Sequence, residues 1–199
     1  LRGVVENGPD RGLGAPHHTL HAIDRTQEVT LVDPAGTAGS HKDVLVVVGH
    51  PDHFVRDNLP QGNDQVVAAE LRDPHVWGTL TERDAVIFED NDFEVFIDPD
   101  SDTHEYYELE VNALGTVWDL YLERPYRDGG PVHRGHGLEG VVCRVHVDGT
   151  LNDPSDVDRG WSVEIAIPWA SLAPFAKTAA CPPKPGDVWR MNLSRVHWL

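Results

Sequence analysis

Carboxylates, amides and aromatic rings recur at two-residue spacing between residues 83 and 120. Alternate side chains of a strand share a face, so Phe93, Val95 and Ile97 are predicted to enter a core. Glu94 and Asp98, which lie between and after them, are then predicted to point the other way. A ring can stack on the apolar face of a sugar, while carboxylates and amides bond its hydroxyls. This pattern is therefore typical of a sheet that binds saccharides.

The predicted saccharide-binding residues are aromatic or polar side chains on these strands or beside them. They are Phe88, Asn91, Asp92, Glu94, Glu110, Asn112, Trp118 and Arg83. Trp118 is expected at the surface, and Trp161, in phase with apolar neighbours, is assigned to the core. For each polar residue the competing interpretation is a solvated charge on a strand face or a turn cap.

A catalytic alternative uses the same strands. A glycosidase needs two carboxylates about 5 to 10 Å apart across the scissile bond. Glu94, Glu108 and Glu110 could supply such a pair, although binding without catalysis is the favoured hypothesis. A haem-carrying sandwich would need axial ligands, and the single methionine, Met191, alternates with core-like residues. The sequence shows no nucleophile elbow, phosphate loop or dinucleotide fingerprint.

The loop after the first of these strands presents oxygen atoms at alternate positions. Its acidic side chains are Asp98, Asp100, Asp102 and Glu105. Calcium takes six to eight oxygen ligands in flexible geometry, so the loop predicts a structural calcium site. Residues 152–158 form a second acidic turn that is equally compatible with Asx-turn chemistry.

The composition excludes several classes of partner. The formal net charge is −17, from 33 acidic and 16 basic residues, which repels nucleic acid and anionic membrane surfaces. No long apolar run predicts membrane insertion. Cys143 and Cys181 are too few for a disulfide-rich scaffold, and a single bridge between them stays open. We expect an extracellular or periplasmic protein, with a cytoplasmic one as the alternative.

Short strands separated by turns dominate the chain from residue 65 onwards. This pattern predicts an all-β fold, an antiparallel β-sandwich of jelly-roll or immunoglobulin-like type with one short helix and long rim loops. Strands are predicted at Val66 to Glu70, Asp92 to Asp98, Glu105 to Asn112, Thr116 to Leu122, Val141 to Asp148, Trp161 to Ile167 and Val188 to Val196. Weaker strand signals lie at Glu28 to Val32 and Asp43 to Val48, the helix at Pro168 to Ala176, and a long loop at Arg124 to Gly140.

Five segments together resemble the family 9-like carbohydrate-binding modules. They are DPHVW (Asp73 to Trp77), LTERDAVIFEDNDFEVFIDPD (Leu80 to Asp100), YYELEVNALGTVWDL (Tyr106 to Leu120), HVDGTLNDPSDVDRGWSVEIAIPW (His146 to Trp169) and GDVWRMNLSRVHW (Gly186 to Trp198). The resemblance implies a sandwich of residues 61–199, truncated at its C-terminus, that binds saccharides during polysaccharide breakdown. It also implies structural calcium and a glycoside hydrolase domain or protein as a partner. Residues 1–60 lack the family's opening signature and are interpreted as a divergent or misread part of the same domain.

The resemblance also assigns roles to single residues. In those modules a tryptophan six residues before the glutamate of the E-x-F-I-D strand forms one wall of an aromatic clamp. That spacing falls on Phe88, with Glu94 as the glutamate that bonds sugar hydroxyls. Glu110 occupies the position of an arginine in those modules, so the sugar contacts must differ. The second wall is a tryptophan that would follow Leu199.

Overall fold

The computed structural model describes residues 64–134, 137–177, 179–184 and 187–198, and the backbone of residues 37–41 and 44–49. These residues form ten strands, one short helix and several 3₁₀ turns. The strands are β1 (Thr37–His41), β2 (Val44–Gly49), β3 (Asp64–Arg72), β4 (Asp92–Asp98), β5 (Tyr106–Asn112), β6 (Val117–Leu122), β7 (Val132–Arg134), β8 (Val142–Asp148), β9 (Gly160–Pro168) and β10 (Arg190–Val196). Helix α1 is Trp169–Leu172, and the 3₁₀ turns are Ile87–Glu89, Tyr126–Asp128 and Ala173–Phe175.

The strands form two antiparallel sheets. The first sheet has the order β1-β2-β3-β9-β8, and the second has the order β10-β4-β5-β6-β7. Strands β4, β5 and β6 follow one another along the chain as a meander, with Glu94 opposite Glu110 and Glu110 opposite Trp118. The predicted all-β sandwich with one short helix is confirmed.

The core lies between the two sheets. Phe93, Val95 and Ile97 of β4 pack in one cluster with Trp161 and Ile165 of β9, as the alternation predicts. Met191 is buried in the same cluster, as expected. Because neighbouring residues of a strand point to opposite faces, the even-numbered residues of β4 and β5 lie on the side of the second sheet that faces away from the first. We call this side the outer face.

Most predicted elements are present within a residue or two of their predicted ends. The predicted helix is a single α-helical turn, α1, followed by the 3₁₀ turn Ala173–Phe175. The segment predicted as a long loop contains strand β7, which pairs with β6 at the edge of the second sheet. The strand signal at Asp43 to Val48 corresponds to β2, whereas that at Glu28 to Val32 lies outside the described residues.

The two cysteines are free thiols, so the bridge left open by the sequence is not formed. Burial raises the pKa of the Cys143 thiol to about 12, which suits its packing against the core. Among the described residues, no helix has the length and apolar character needed to cross a membrane.

Candidate functional site

Three glutamates meet on the outer face of the second sheet. Glu94 of β4 lies opposite Glu110 of β5, and Glu108 lies two residues before Glu110 on the same face. One carboxylate oxygen from each of the three falls within 4.8 Å of the other two. We call this group the glutamate triad. Glu94 belongs to β4 and the other two members to β5, so the β4–β5 hairpin brings the three together.

Each member of the triad accepts one hydrogen bond at its Oε2 atom. The donors are the Ser194 hydroxyl for Glu94, the Tyr126 hydroxyl for Glu108 at 2.5 Å, and the Phe88 backbone N–H for Glu110 at 3.0 Å. The donors come from β10 and from two 3₁₀ turns, so three separate elements fix the three carboxylates. Carboxyl groups held in place by such hydrogen bonds are suited to bind hydroxyl groups or a cation.

The triad is an electrostatically unfavourable arrangement for three ionised groups. Glu108 and Glu110 are 4% and 1% exposed. Burial raises the pKa of Glu108 to about 8, and the charge of Glu94 adds to this. Burial, followed by the charges of Glu108 and Glu94, raises the pKa of Glu110 to about 9. Both carboxyls therefore keep their protons to a higher pH than an ordinary glutamate does, and in the protonated form they can donate hydrogen bonds as well as accept them.

Asp92 extends this acidic group along the outer face. It is completely buried, and its Oδ1 atom accepts a hydrogen bond from the Val196 backbone N–H at 3.1 Å. Its Oδ2 atom has no hydrogen-bond partner among the described residues. Burial, and then the charges of Glu94 and Glu110, raises the pKa of Asp92.

An exposed aromatic ring lies beside the triad. The Phe88 side chain is 42% exposed, and its ring centroid is 6.0 Å from that of Trp118. Trp118 itself is only 2% exposed, with the Arg134 guanidinium 5.1 Å from its ring centroid. The expected surface position of Trp118 is therefore wrong. The 3₁₀ turn Ile87–Glu89 packs against this part of β6, so Trp118 supports the Phe88 ring instead of presenting its own.

Trp198 lies beside Phe88, a contact that no local sequence pattern predicts. Its indole Nε1–H donates to the Phe88 carbonyl oxygen at 2.8 Å, and its backbone N–H donates to Asn91 Oδ1 at 2.8 Å. Strand β10 pairs with β4 so that Val196 lies opposite Asp92. This register places Trp198 next to residues 88–91, and the contact can be recognised only once the pairing of β10 with β4 is known.

Asn91 and Asn112 use their amides within the protein. The Asn91 Nδ2 group lies 3.4 Å from Asp73 Oδ2, and its oxygen accepts from Trp198. The Asn112 oxygen accepts two backbone N–H groups of the turn into β6, and its Nδ2 group donates to the Leu80 carbonyl oxygen. In this structure both side chains hold loops in place, the competing interpretation given for them above.

Arg83 lies on the other side of the sheet from the triad. Its Nη2 atom is 2.6 Å from Asp119 Oδ1, and Asp119 also accepts the Leu138 backbone N–H. Because Asp119 follows Trp118 on β6, its side chain points to the opposite face. Arg83 therefore pairs with a carboxylate that is not part of the triad.

The acidic loop of residues 98–105 brings a second carboxylate group together. Oxygens of Asp98, Asp100 and Asp102 lie within 4.8 Å of one another. Asp98 accepts the backbone N–H groups of Ser101 and Thr103 at 2.9 and 2.8 Å, which winds the loop around its carboxylate. Burial raises the pKa of Asp98.

Lys177 supplies a positive charge to this loop from a distant part of the chain. Its Nζ atom is 3.1 Å from Asp100, 2.9 Å from Asp102 and 2.8 Å from Glu105. Hydrogen bonding to Lys177 holds the pKa of Asp102 and of Glu105 below the ordinary values. The Oδ1 atom of Asp100 is buried without a hydrogen-bond partner among the described residues, which fits a cation ligand. The donor set thus suits calcium, but calcium would have to compete with the lysine ammonium.

Comparisons with known proteins add little to this geometry. No family model matches the chain, and no curated protein matches it. One solved structure that matches is that of a putative carbohydrate-binding protein from Bacteroides uniformis ATCC 8492, with a TM-score of 0.49 and 14% sequence identity over 90% of this chain and 77% of that one. The resemblance to the family 9-like modules therefore stays a prediction.

Proposed function

We propose that the chain binds a saccharide, without cleaving it, on the outer face beside Phe88 and the glutamate triad. The observation that carries this proposal is the hydrogen bond from the Phe88 N–H to Glu110. It holds the exposed ring of Phe88 in a fixed position relative to the triad, whose partly exposed member is Glu94. Saccharides require both kinds of contact, since each ring has apolar C–H faces and a rim of hydroxyls.

The surroundings of Phe88 favour a binding platform over a packing role. A core phenylalanine is normally buried, whereas this ring is 42% exposed. Its inner side rests against Trp118, and its carbonyl is held by Trp198, so the ring is supported from below. A supported ring loses little conformational entropy when a ligand stacks on it.

Glu94 is the member of the triad best placed to contact a ligand. It is partly exposed, whereas Glu108 and Glu110 are buried beneath Tyr126 and Phe88. We propose that Glu94 bonds a sugar hydroxyl directly. The protonated neighbours then act as a polar floor that can donate to it or to the ligand.

A second candidate is a glycoside-active enzyme that uses a carboxylate pair of the triad. The observation in its favour is the close approach of carboxyls whose pKa values are raised, as a general acid requires. Binding is preferred because Glu108 and Glu110 are each covered on the outer face, which leaves no free carboxylate on either side of a bond. Release of reducing ends from oligosaccharides by the wild-type chain, and its loss in Glu108→Gln, would establish the enzyme instead.

Three further proposals follow from the sequence resemblance. We propose that the chain acts in polysaccharide breakdown beside a glycoside hydrolase, that it works outside the cytoplasm, and that the acidic loop holds structural calcium. Neutral sugar is compatible with the strongly acidic composition, because it has no charge to be repelled.

A glycan array tests the proposed function. The wild-type chain should bind a defined group of glycans, and Phe88→Ala should lose them. Trp77→Ala is the matched control. The Trp77 side chain is 40% exposed, close to the 42% of Phe88, but it lies in the loop between β3 and the 3₁₀ turn Ile87–Glu89. Binding by Phe88→Ala equal to that of wild type, or no glycan bound by wild type, would reject the proposal.

A further inference from the structure

We propose that the glutamate triad is a binding site for a divalent cation that prefers oxygen ligands, such as calcium or manganese. This site is separate from the acidic loop of residues 98–105. It does not depend on the proposed saccharide binding, because the argument uses only the carboxylates and their surroundings.

The spacing of the triad suits coordination of a single ion. Calcium binds oxygen at 2.3 to 2.6 Å, so two ligands of one ion are at most about 5 Å apart. The three carboxylate oxygens lie within 4.8 Å of one another. Each glutamate commits Oε2 to a hydrogen bond from another element. The Glu108 and Glu110 carboxyls also share a hydrogen bond with each other.

A fourth carboxylate provides independent support. Asp92 is completely buried, and its Oδ2 atom lacks a hydrogen-bond partner in the described part of the chain. A buried oxygen without a donor is unfavourable, and more so when it is charged. Asp92 precedes Glu94 by two residues on the outer face, and its other oxygen is already held by β10. Asp92 lies close enough to Glu94 and Glu110 to be affected by their charges, so a cation bound at the triad would also stabilise the unpartnered oxygen.

The charge balance points the same way. No lysine, arginine or histidine among the described residues forms an ion pair with Asp92 or with the triad. The acidic loop differs, because Lys177 neutralises it. Four adjacent carboxyls thus lack any positive partner there, which a divalent ion would supply.

The ligand chemistry limits the class of metal. The triad and Asp92 offer only carboxylate oxygens, with Ser194 and Tyr126 hydroxyls at their edge. Oxygen-only sites select calcium, magnesium and manganese, whereas zinc and copper favour nitrogen and sulfur ligands. Three glutamates and an aspartate carry enough charge for the ion to displace the protons that the metal-free carboxyls hold.

Calorimetric titration of the metal-stripped chain with calcium chloride and with manganese chloride tests the proposal. The Asp98→Asn/Asp100→Asn variant serves as the background, so that the acidic loop cannot contribute. This variant should still bind one divalent ion more tightly than about 1 mM, the weak end of protein calcium sites. Adding Glu108→Gln/Glu110→Gln should abolish that binding, and adding Asp92→Asn should weaken it at least tenfold.

Controls separate loss of the site from loss of the fold. Glutamine has the shape of glutamate, so the substitutions in the triad remove charge with little change in volume. Glu139→Gln makes the same change at an exposed glutamate outside the triad and should leave metal binding unchanged. Circular dichroism and thermal melts confirm that each variant is folded, and Glu94→Gln provides a milder change to the same site. The proposal is overturned if the Asp98→Asn/Asp100→Asn variant binds no divalent ion, or if its binding survives in both Glu108→Gln/Glu110→Gln and Glu94→Gln.

Discussion

Phe88 and Glu110 are joined by a hydrogen bond of 3.0 Å from the Phe88 backbone N–H to Glu110 Oε2. The bond ties a 3₁₀ turn to the centre of the outer face and leaves the phenylalanine ring exposed. The sequence resemblance aligns Glu110 with an arginine of the family 9-like modules, an alignment that stays a prediction. The contact shows what the glutamate does there: it fixes the backbone that carries the ring.

The raised pKa values of Glu108 and Glu110 predict a pH-dependent stability in the presence of a chelator. A glutamate has an ordinary pKa of 4.5, against about 8 and 9 for these two in the folded chain. The folded state therefore binds more protons than the unfolded state between about pH 4.5 and 9. The free energy of unfolding should fall across that window as pH rises, by about 3 kcal/mol for each of the two groups between pH 6 and pH 9.

Urea unfolding at several pH values measures this effect. Glu108→Gln/Glu110→Gln should flatten the decline, because the amides cannot ionise, and should be more stable than wild type at pH 9. Glu139→Gln is the control for loss of one acidic charge. If the free energy of unfolding of the double variant falls with pH as steeply as that of wild type, Glu108 and Glu110 are not the groups responsible.

Calcium in the acidic loop is predicted to stabilise the fold. In the Glu108→Gln/Glu110→Gln background, where the triad is neutral, calcium should raise the melting temperature by about 3 °C or more over the chelated protein. Asp98→Asn/Asp100→Asn should remove this response, because it deletes two of the three clustered carboxylates. Equal melting temperatures with calcium and with chelator would reject the loop as a metal site.

Lys177 offers a sharper test of the same loop. Its ammonium lies within 3.1 Å of Asp100 and two other carboxylates, so it competes with any cation there. Lys177→Met should tighten calcium binding by roughly fivefold or more, since it removes a positive charge that repels the cation from the carboxylates. Calorimetry in the same background measures this, and weaker calcium binding in Lys177→Met would show that the lysine does not compete.

A buried ion pair anchors the loop before the site to the last strand. Arg195 Nη2 is 2.8 Å from Asp73 Oδ2, with side chains 3% and 0% exposed, and Arg195 also donates to the Arg72 carbonyl. Asp73 keeps a pKa below its ordinary value although burial opposes ionisation, because His197 and Arg195 stabilise its charge. Asp73→Asn should lower the free energy of unfolding by about 3 to 5 kcal/mol, the usual effect of removing one buried partner.

A double-mutant cycle checks that prediction. Asp73→Asn combined with Arg195→Met should cost less than the sum of the single changes, because both changes remove the same ion pair, which can be lost only once. Strict additivity in urea unfolding would mean that the two residues do not act as a pair.

Alternation along β4 and β5 was enough to predict the core and the outer face. Phe93 packs inward while Glu94 and Glu110 face outward, because strand geometry fixes this once the strands are located. Local patterns did not predict the burial of Trp118, which depends on a turn folding across β6. They also did not predict the contact of Lys177 with Asp102, residues that lie 75 positions apart. Strand β7 escaped prediction because an edge strand in a segment rich in Gly and Pro is defined by its partner and not by its own composition.

The central claim is that the Phe88 ring and Glu94 together form a saccharide platform. Calorimetric titration of wild type, Phe88→Ala, Phe88→Trp and Glu94→Gln with a glycan from the array tests it most directly, with thermal melts on the same samples. The account predicts that Phe88→Ala and Glu94→Gln each lose about tenfold or more in affinity, equivalent to about 1.4 kcal/mol, while Phe88→Trp keeps or gains affinity and all four chains stay folded. Unchanged affinity in all three variants, or unfolding of Phe88→Ala with a cost of about 3 to 5 kcal/mol as for a core ring, would contradict it.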